Sequence, residues 1–220
     1  TVPVEVLSTF STPYQALPHP KSAPILDTQG RPVAIDIYDP AQWRERQWGV
    51  YAPEVVARVR DAAGGNGEGE RAVAQMESDF DANLVRAARV QWALSEPPPP
   101  LDVEIATFGG DCEPTPGHAI LLDPADGGRL VFRPGQAATA RGKAAGEHSR
   151  RDFESLMLEP GDGLVTRNSQ TARRPPEMAP GTEGFHMLPI RGSFFLCESH
   201  GRLTHNLFFQ DNLLYFLLSR

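Results

Sequence analysis

Glu159-Pro-Gly-Asp-Gly-Leu-Val-Thr-Arg-Asn-Ser169 places an aspartate between two glycines, and Phe194-Phe-Leu-Cys-Glu-Ser-His200 runs a short apolar strand into a polar turn that ends on a histidine. In the first stretch a β-rich run, Leu164, Val165 and Thr166, follows the acid. A lone Asp in a Gly-flanked turn is ordinarily an acceptor for backbone N–H groups. A histidine turn downstream changes the balance. A carboxylate in a strand-end turn orients an imidazole, and a histidine on an exposed turn titrates near neutral pH and can act as a general base. Thirty-eight residues separate Asp162 from His200, room for one helix and one strand. His205 competes for the base, but His200 directly follows the strand and is preferred.

Away from this pair, residues 1–40 are rich in proline and turn formers, which forbids a long helix. The first six residues read as a strand-like segment, and Asp27-Thr-Gln-Gly30 as a tight turn. Asp39-Pro40 predicts the start of a short helix followed by Trp43 and Trp48, and Pro53 opens a second helix stopped by Gly64 and Gly65. Glu70 to Leu94 has the strongest helical periodicity, with Val73, Met76, Phe80, Leu84, Ala87, Ala88 and Trp92 on one apolar stripe. Pro97–Pro100 end it. Leu101 to Gly109 alternates as a strand does, and Ile120-Leu-Leu and Arg129–Arg133 flank a turn and predict a hairpin. Residues 135–150 and 173–184 read as loops, 186–190 and 193–197 as strands, and Leu207–Leu218 as a closing apolar helix.

Composition narrows the partners. A net charge of −7 disfavours nucleic acid and anionic membrane surfaces, which demand clustered Lys and Arg. No apolar run reaches the length of a transmembrane helix, and Thr1-Val-Pro-Val-Glu-Val has no signal-peptide pattern. Cys112 and Cys197 leave one bridge or two free thiols open, with free thiols favoured, so the compartment stays open too. The six histidines are scattered without ligand spacing, so no metal site is expected. Gly64-Gly-Asn-Gly-Glu-Gly69 follows a helix and lacks the Lys-Ser/Thr ending of a phosphate cradle, so it reads as a linker.

An acid followed by a histidine matches the order Ser, Asp, His in which α/β-type serine hydrolases arrange their triad. A nucleophile of that type is missing from the 220 residues. No serine has glycine at both −2 and +2. Ser199 follows a strand, yet almost no chain remains after it for an acid and a base, so it reads as a neighbour of the catalytic histidine. Either the chain is inert, or its serine is expected upstream of Thr1. Trp43 and Trp48 are candidates for an apolar acyl-binding surface, against the commoner reading of ordinary packing.

Several of these segments resemble the lecithin:cholesterol acyltransferase type of α/β-hydrolases, a family of lipases and acyltransferases. The resemblance lies in Val103-Glu-Ile with Phe108-Gly, in Pro114-Thr-Pro116 and Asp123, and above all in Pro160-Gly-Asp-Gly-Leu-Val-Thr-Arg-Asn-Ser169. Leu188-Pro-Ile with the His200 turn resembles the family's closing segment, and Leu7–Pro18 with Ile37–Trp43 and Trp48-Gly resembles its cap excursion. The resemblance implies the C-terminal portion of an α/β-hydrolase fold, with a helical cap or lid over residues 1–96 and the last sheet strands over 97–220. It makes Asp162 the triad acid and the His200 turn the source of the base. The nucleophile-bearing half of the domain would precede this region as its partner. The implied substrate is an acyl ester of lipid type, hydrolysed or transferred without a cofactor. The rival expectation is a non-catalytic, partner-binding module that keeps the fold.

Overall fold

A computed structural model of the chain describes residues 2–19, 22, 24–96, 99–100, 102–123, 127–140, 150–171 and 190–219, with backbone alone at 66, 140, 150 and 191. The chain divides into two units, Thr1–Ala23 with Val33–Leu94 and Asp123–Arg129, and Pro24–Pro32 with Ser95–Leu122 and Leu130–Arg220. This division differs from a single cut near residue 96 by two exchanged segments. Residues 24–32 belong to the second unit because Ile25 and Leu26 pair with Ala119 and Ile120. Residues 123–129 belong to the first, where the Trp48 indole N–H donates to the Gly128 carbonyl at 2.8 Å.

The first unit is helical: α1 (Val4–Leu7), α2 (Ser11–Gln15), α3 (Pro40–Glu45), α4 (Pro53–Ala62) and α5 (Asn66–Leu94). The strand-like reading of the N-terminus gives way to one helical turn. Pro3 presets the entry to α1, and the Arg58 guanidinium grips the Glu5 carboxylate through Nε at 2.8 Å and Nη2 at 2.9 Å. Asp39 caps α3 by accepting the Ala41 N–H, with Pro40 at the first helical position. The α4–α5 connection is shorter than the expected glycine linker. Gly64 and Gly65 alone carry the positive φ of the turn, while Gly67 and Gly69 already belong to α5. A Cβ at Gly69 would lie 2.8 Å from the Arg60 carbonyl oxygen, so glycine there lets the two helices close on each other.

The α5 stripe buries Val73, and it packs Phe80, Leu84 and Ala87 against Tyr14, Tyr38, Val50 and Tyr51. Phe80 sits edge-on to Trp43 and Tyr51, at centroid distances of 5.2 and 6.0 Å. Burying a Phe or Leu of this kind contributes about 1.5–3 kcal/mol. At the end of α5 the stripe departs from the expected one. Steps of four, three and four from Phe80 lead to Leu84, Ala87 and Gln91, and Gln91 is the buried residue while Trp92 is 48% exposed. The Gln91 amide is satisfied by donation to the Leu17 carbonyl at 3.1 Å.

The second unit holds β1 (Ile25–Leu26), β2 (Ile105–Gly110), β3 (Glu113–Pro116), β4 (Ala119–Leu122), β5 (Arg129–Val131), β6 (Leu158–Gly161) and β7 (Ile190–Leu196). Its helices are α6 (Pro134–Ala140), α7 (Arg150–Met157), α8 (Arg167–Thr171) and α9 (Leu207–Leu218). Among the described residues the strands form three small sheets: β1-β4-β5, a parallel pair β2-β7, and an antiparallel pair β3-β6. β4 is buried along its whole length, as its unbroken apolar run Ala-Ile-Leu-Leu demands. It packs with Leu26, Val131, Ala137, Phe153 and Met157 into the core of this unit.

Expected loop and strand assignments change in several places. Pro134–Ala140 forms helix α6 in place of the expected loop, because proline opens it and the Ala-rich stretch Gln-Ala-Ala-Thr-Ala propagates it. The rest of that loop up to 149, the loop at 173–184 and the strand residues 186–189 lie outside the described residues. The run Leu164–Thr166 folds back as a turn before α8 and forms no strand. α9 forms as read, capped by Asn206, whose side-chain oxygen accepts the Phe208 N–H at 2.9 Å. Phe209 and Phe216 of α9 approach the ring of Phe108 on β2. Among the described residues no helix is long and apolar enough to cross a membrane.

Candidate active site

The parallel pair β2-β7 sets the scene. Parallel strands end on the same side, and Gly110 at the end of β2 stands opposite Leu196 at the end of β7. Turns leaving those two ends converge, which is where open α/β sheets gather reacting groups. His200 lies in the turn after β7. Asp162 follows β6, and the β3-β6 ladder carries it back to the end of β2. Between the two residues, the described chain holds one helix, α8, and one strand, β7.

The imidazole Nδ1 of His200 lies 2.9 Å from Oδ2 of Asp162. A second link joins their backbones, the His200 N–H donating to the Asp162 carbonyl at 2.8 Å. The acid is buried and the histidine open: Asp162 has 4% of its side chain exposed and His200 53%. Oδ1 of Asp162 accepts the N–H groups of Leu164 at 3.0 Å and Val165 at 2.8 Å, the turn being allowed by Gly163 at φ 89°. Oδ2 accepts the Gln170 side-chain amide at 3.2 Å besides the imidazole. Burial pushes the Asp162 carboxyl up, but the Val165 N–H, His200 and the Leu164 N–H outweigh it and hold it below the ordinary aspartate value. An ionised Asp162 requires the proton of a neutral His200 to sit on Nδ1, leaving the lone pair on Nε2. Nε2 has no protein partner among the described residues.

The turn that carries His200 is held at both ends. Glu198 accepts the Ser199 N–H at 3.1 Å and the Asn206 amide at 3.3 Å, which ties the turn to the cap of α9. These bonds from Ser199 and Asn206 also keep the Glu198 carboxyl below its usual range. The carbonyl of Ser199 accepts the N–H groups of Arg202 and Leu203. His205 sits in a short 3-10 turn and is exposed, and the pairing with the acid falls to His200.

Three features escape a reading of the sequence. Cys112 and Cys197 are bonded to each other, against the expectation of free thiols. The parallel register explains it: Cys112 follows β2 by two residues and Cys197 follows β7 by one, so the ladder delivers them to each other. Gly110 is the second feature. A Cβ there would lie 2.8 Å from the Cβ of Asp162 and would collide with the carbonyl oxygen of Glu198. The paired glycines closing β2 were legible as a strand end, but their partners were not. Gln170 is the third, eight residues after Asp162 with no motif to mark it.

Trp43 and Trp48 belong to the first unit and Asp162 and His200 to the second. The Trp43 indole N–H donates to the Ile37 carbonyl at 2.8 Å, and its ring meets Trp48 edge-on with centroids 6.2 Å apart. Among the described residues no three His, Cys, Asp or Glu side chains gather into a set that could hold a metal ion. No family model, curated protein or solved structure matches the chain.

Proposed function

We propose that this chain supplies the acid and the base of a serine-dependent acyl-ester hydrolase or acyltransferase, built as the C-terminal portion of an α/β-hydrolase domain. The observation that carries the proposal is the buried Asp162 bonded to Nδ1 of a half-exposed His200, with Nε2 left for a reacting hydroxyl. The position of the pair, against the C-terminal ends of two parallel strands, supports it further. With Cys112 and Cys197 bonded to each other, neither offers a thiolate nucleophile.

In the proposed reaction a serine from an upstream segment attacks the ester carbonyl while Nε2 of His200 takes its proton. The imidazolium returns that proton to the departing alcohol, and an acyl-serine ester forms. Water or a second alcohol then gives its proton to Nε2 as it attacks the acyl group, and the imidazolium passes that proton to the departing serine oxygen, which restores both groups. Asp162 holds Nδ1–H throughout and stabilises the imidazolium.

The test is intact mass after fluorophosphonate treatment of the natural polypeptide that contains these residues. The expected result is a single adduct that disappears when the protein is denatured first or carries His200→Ala. Absence of any adduct would sink the proposal. The second reading, a partner-binding module that keeps the acid–histidine geometry, is favoured by the missing Gly-x-Ser-x-Gly pattern and would then stand.

A further inference from the structure

The carboxylate of Asp162 has two oxygens with different surroundings. Oδ1 is pinned by two backbone N–H groups, and Oδ2 faces the imidazole and the Gln170 amide. The Gln170 nitrogen also donates to the Val165 carbonyl at 2.9 Å and approaches the Gly110 carbonyl at 3.5 Å. Three acceptors around one end of the side chain identify that end as the NH2 group, because the opposite orientation would set oxygen against oxygen three times. The Gln170 oxygen is buried with no hydrogen-bond partner among the described residues, an orientation that costs free energy and is held by what the nitrogen gains.

Two further observations place Gln170 deliberately. A Cβ at Gly109 would overlap the Gln170 oxygen, so the glycine at this strand position opens the slot that the amide fills. Helix α8 is also tethered ahead of it. Asn168 donates to Glu159 at 2.8 Å, and Arg167 donates to Asp111 at 3.0 Å while lying over the Phe195 ring. These contacts anchor α8 to β6, to β7 and to the residue after β2.

We propose that Gln170 is the positioning residue of the acid–base pair, resting on the acyl-transfer reading above. Its amide fixes the rotation of the Asp162 carboxylate, so that Oδ2 alone is offered to Nδ1–H of His200. A neutral donor does this without cancelling the negative charge that the imidazolium needs. A cationic donor at the same place would neutralise the acid.

The test combines nitrogen-15 NMR of histidine-labelled natural polypeptide with ester turnover. The His200 signal is assigned by its loss in His200→Gln. The expected wild-type result is a neutral imidazole with the proton on Nδ1 and slow exchange of that proton. Gln170→Leu is expected to speed the exchange at least tenfold, to mix the two tautomers, and to lower kcat about tenfold with KM within a factor of two. Gln170→Glu guards against simple misfolding. The two side chains match in size, but an ionised carboxylate has no N–H to offer Oδ2, so where the imidazole is neutral this variant is expected to match Gln170→Leu. Unchanged tautomer and exchange in both folded variants would overturn the proposal, whatever the catalytic activity. Altered tautomers in a protein that never turns over an ester would support the positioning role and remove the acyl-transfer reading instead.

Discussion

His200 and Asp162 are joined at two levels, side chain to side chain through Nδ1 and Oδ2 and backbone to backbone through the His200 N–H and the Asp162 carbonyl. The backbone bond fixes where the histidine turn lies, and the side-chain bond fixes how the ring is turned. The first therefore survives when the second is removed. On the acyl-transfer proposal, Asp162→Asn in the natural polypeptide is expected to keep the fold and lower kcat on the order of 10³–10⁴-fold, because an amide no longer enforces the Nδ1–H tautomer. Steady-state kinetics with a soluble ester, beside a circular dichroism check of the fold, measures both halves of that statement.

Acid pH should weaken the same region. The folded Asp162 carboxyl is held below its ordinary value, so its contribution to stability is full above the unfolded value of about 4 and is lost as pH falls through the lower folded value. Urea unfolding at pH 7 and at pH 3 is expected to show a loss that Asp162→Asn does not share. A wild-type and variant difference that stays constant over this range would contradict the assignment.

Gly110→Ala tests the close approach at the end of β2. Its methyl group would press on the Cβ of Asp162 and collide with the Glu198 carbonyl, and neither neighbour can move without disturbing the acid or the histidine turn. The expected loss is about 1–3 kcal/mol of stability by denaturant titration, with a larger proportional loss of activity. The same change at Gly64 meets open space, but φ there is 90°, so the strain is conformational and activity should be kept.

Breaking the Cys112–Cys197 bridge by double substitution to alanine is expected to cost about 2–5 kcal/mol, measured in the same titration. Reduction of the wild-type protein should reproduce that shift, and a reduced protein as stable as the oxidised one would count against a structural role for the bridge.

The local parts of the fold were legible because local chemistry decides them. Pro40 and Pro53 open helices, Asp27–Gly30 makes its turn, and the spacing Phe80, Leu84, Ala87 exposes one face of α5 for burial. Asp162 and His200 were legible because each sits in a turn beside a strand. What stayed hidden depends on contacts between distant residues. The β3-β6 ladder joins Glu113-Pro-Thr-Pro116 to Leu158–Gly161, and a segment with two prolines carries no strand periodicity. The two cysteines lie 85 residues apart and meet only through the register of β2 with β7. Gln91 replaces Trp92 in the buried stripe because the helix advances by its own angle, whatever the polarity of the residue that arrives there.

The bridge also determines what happens to the chain when it is cut. Asp162 lies inside the covalent ring that Cys112 and Cys197 close, and His200 lies three residues outside it. A protease that opens any peptide bond between those cysteines yields two pieces still tied as one molecule. After a cut between Asp162 and Cys197, the acid and the histidine would run together on a non-reducing gel and part company only once thiol was added.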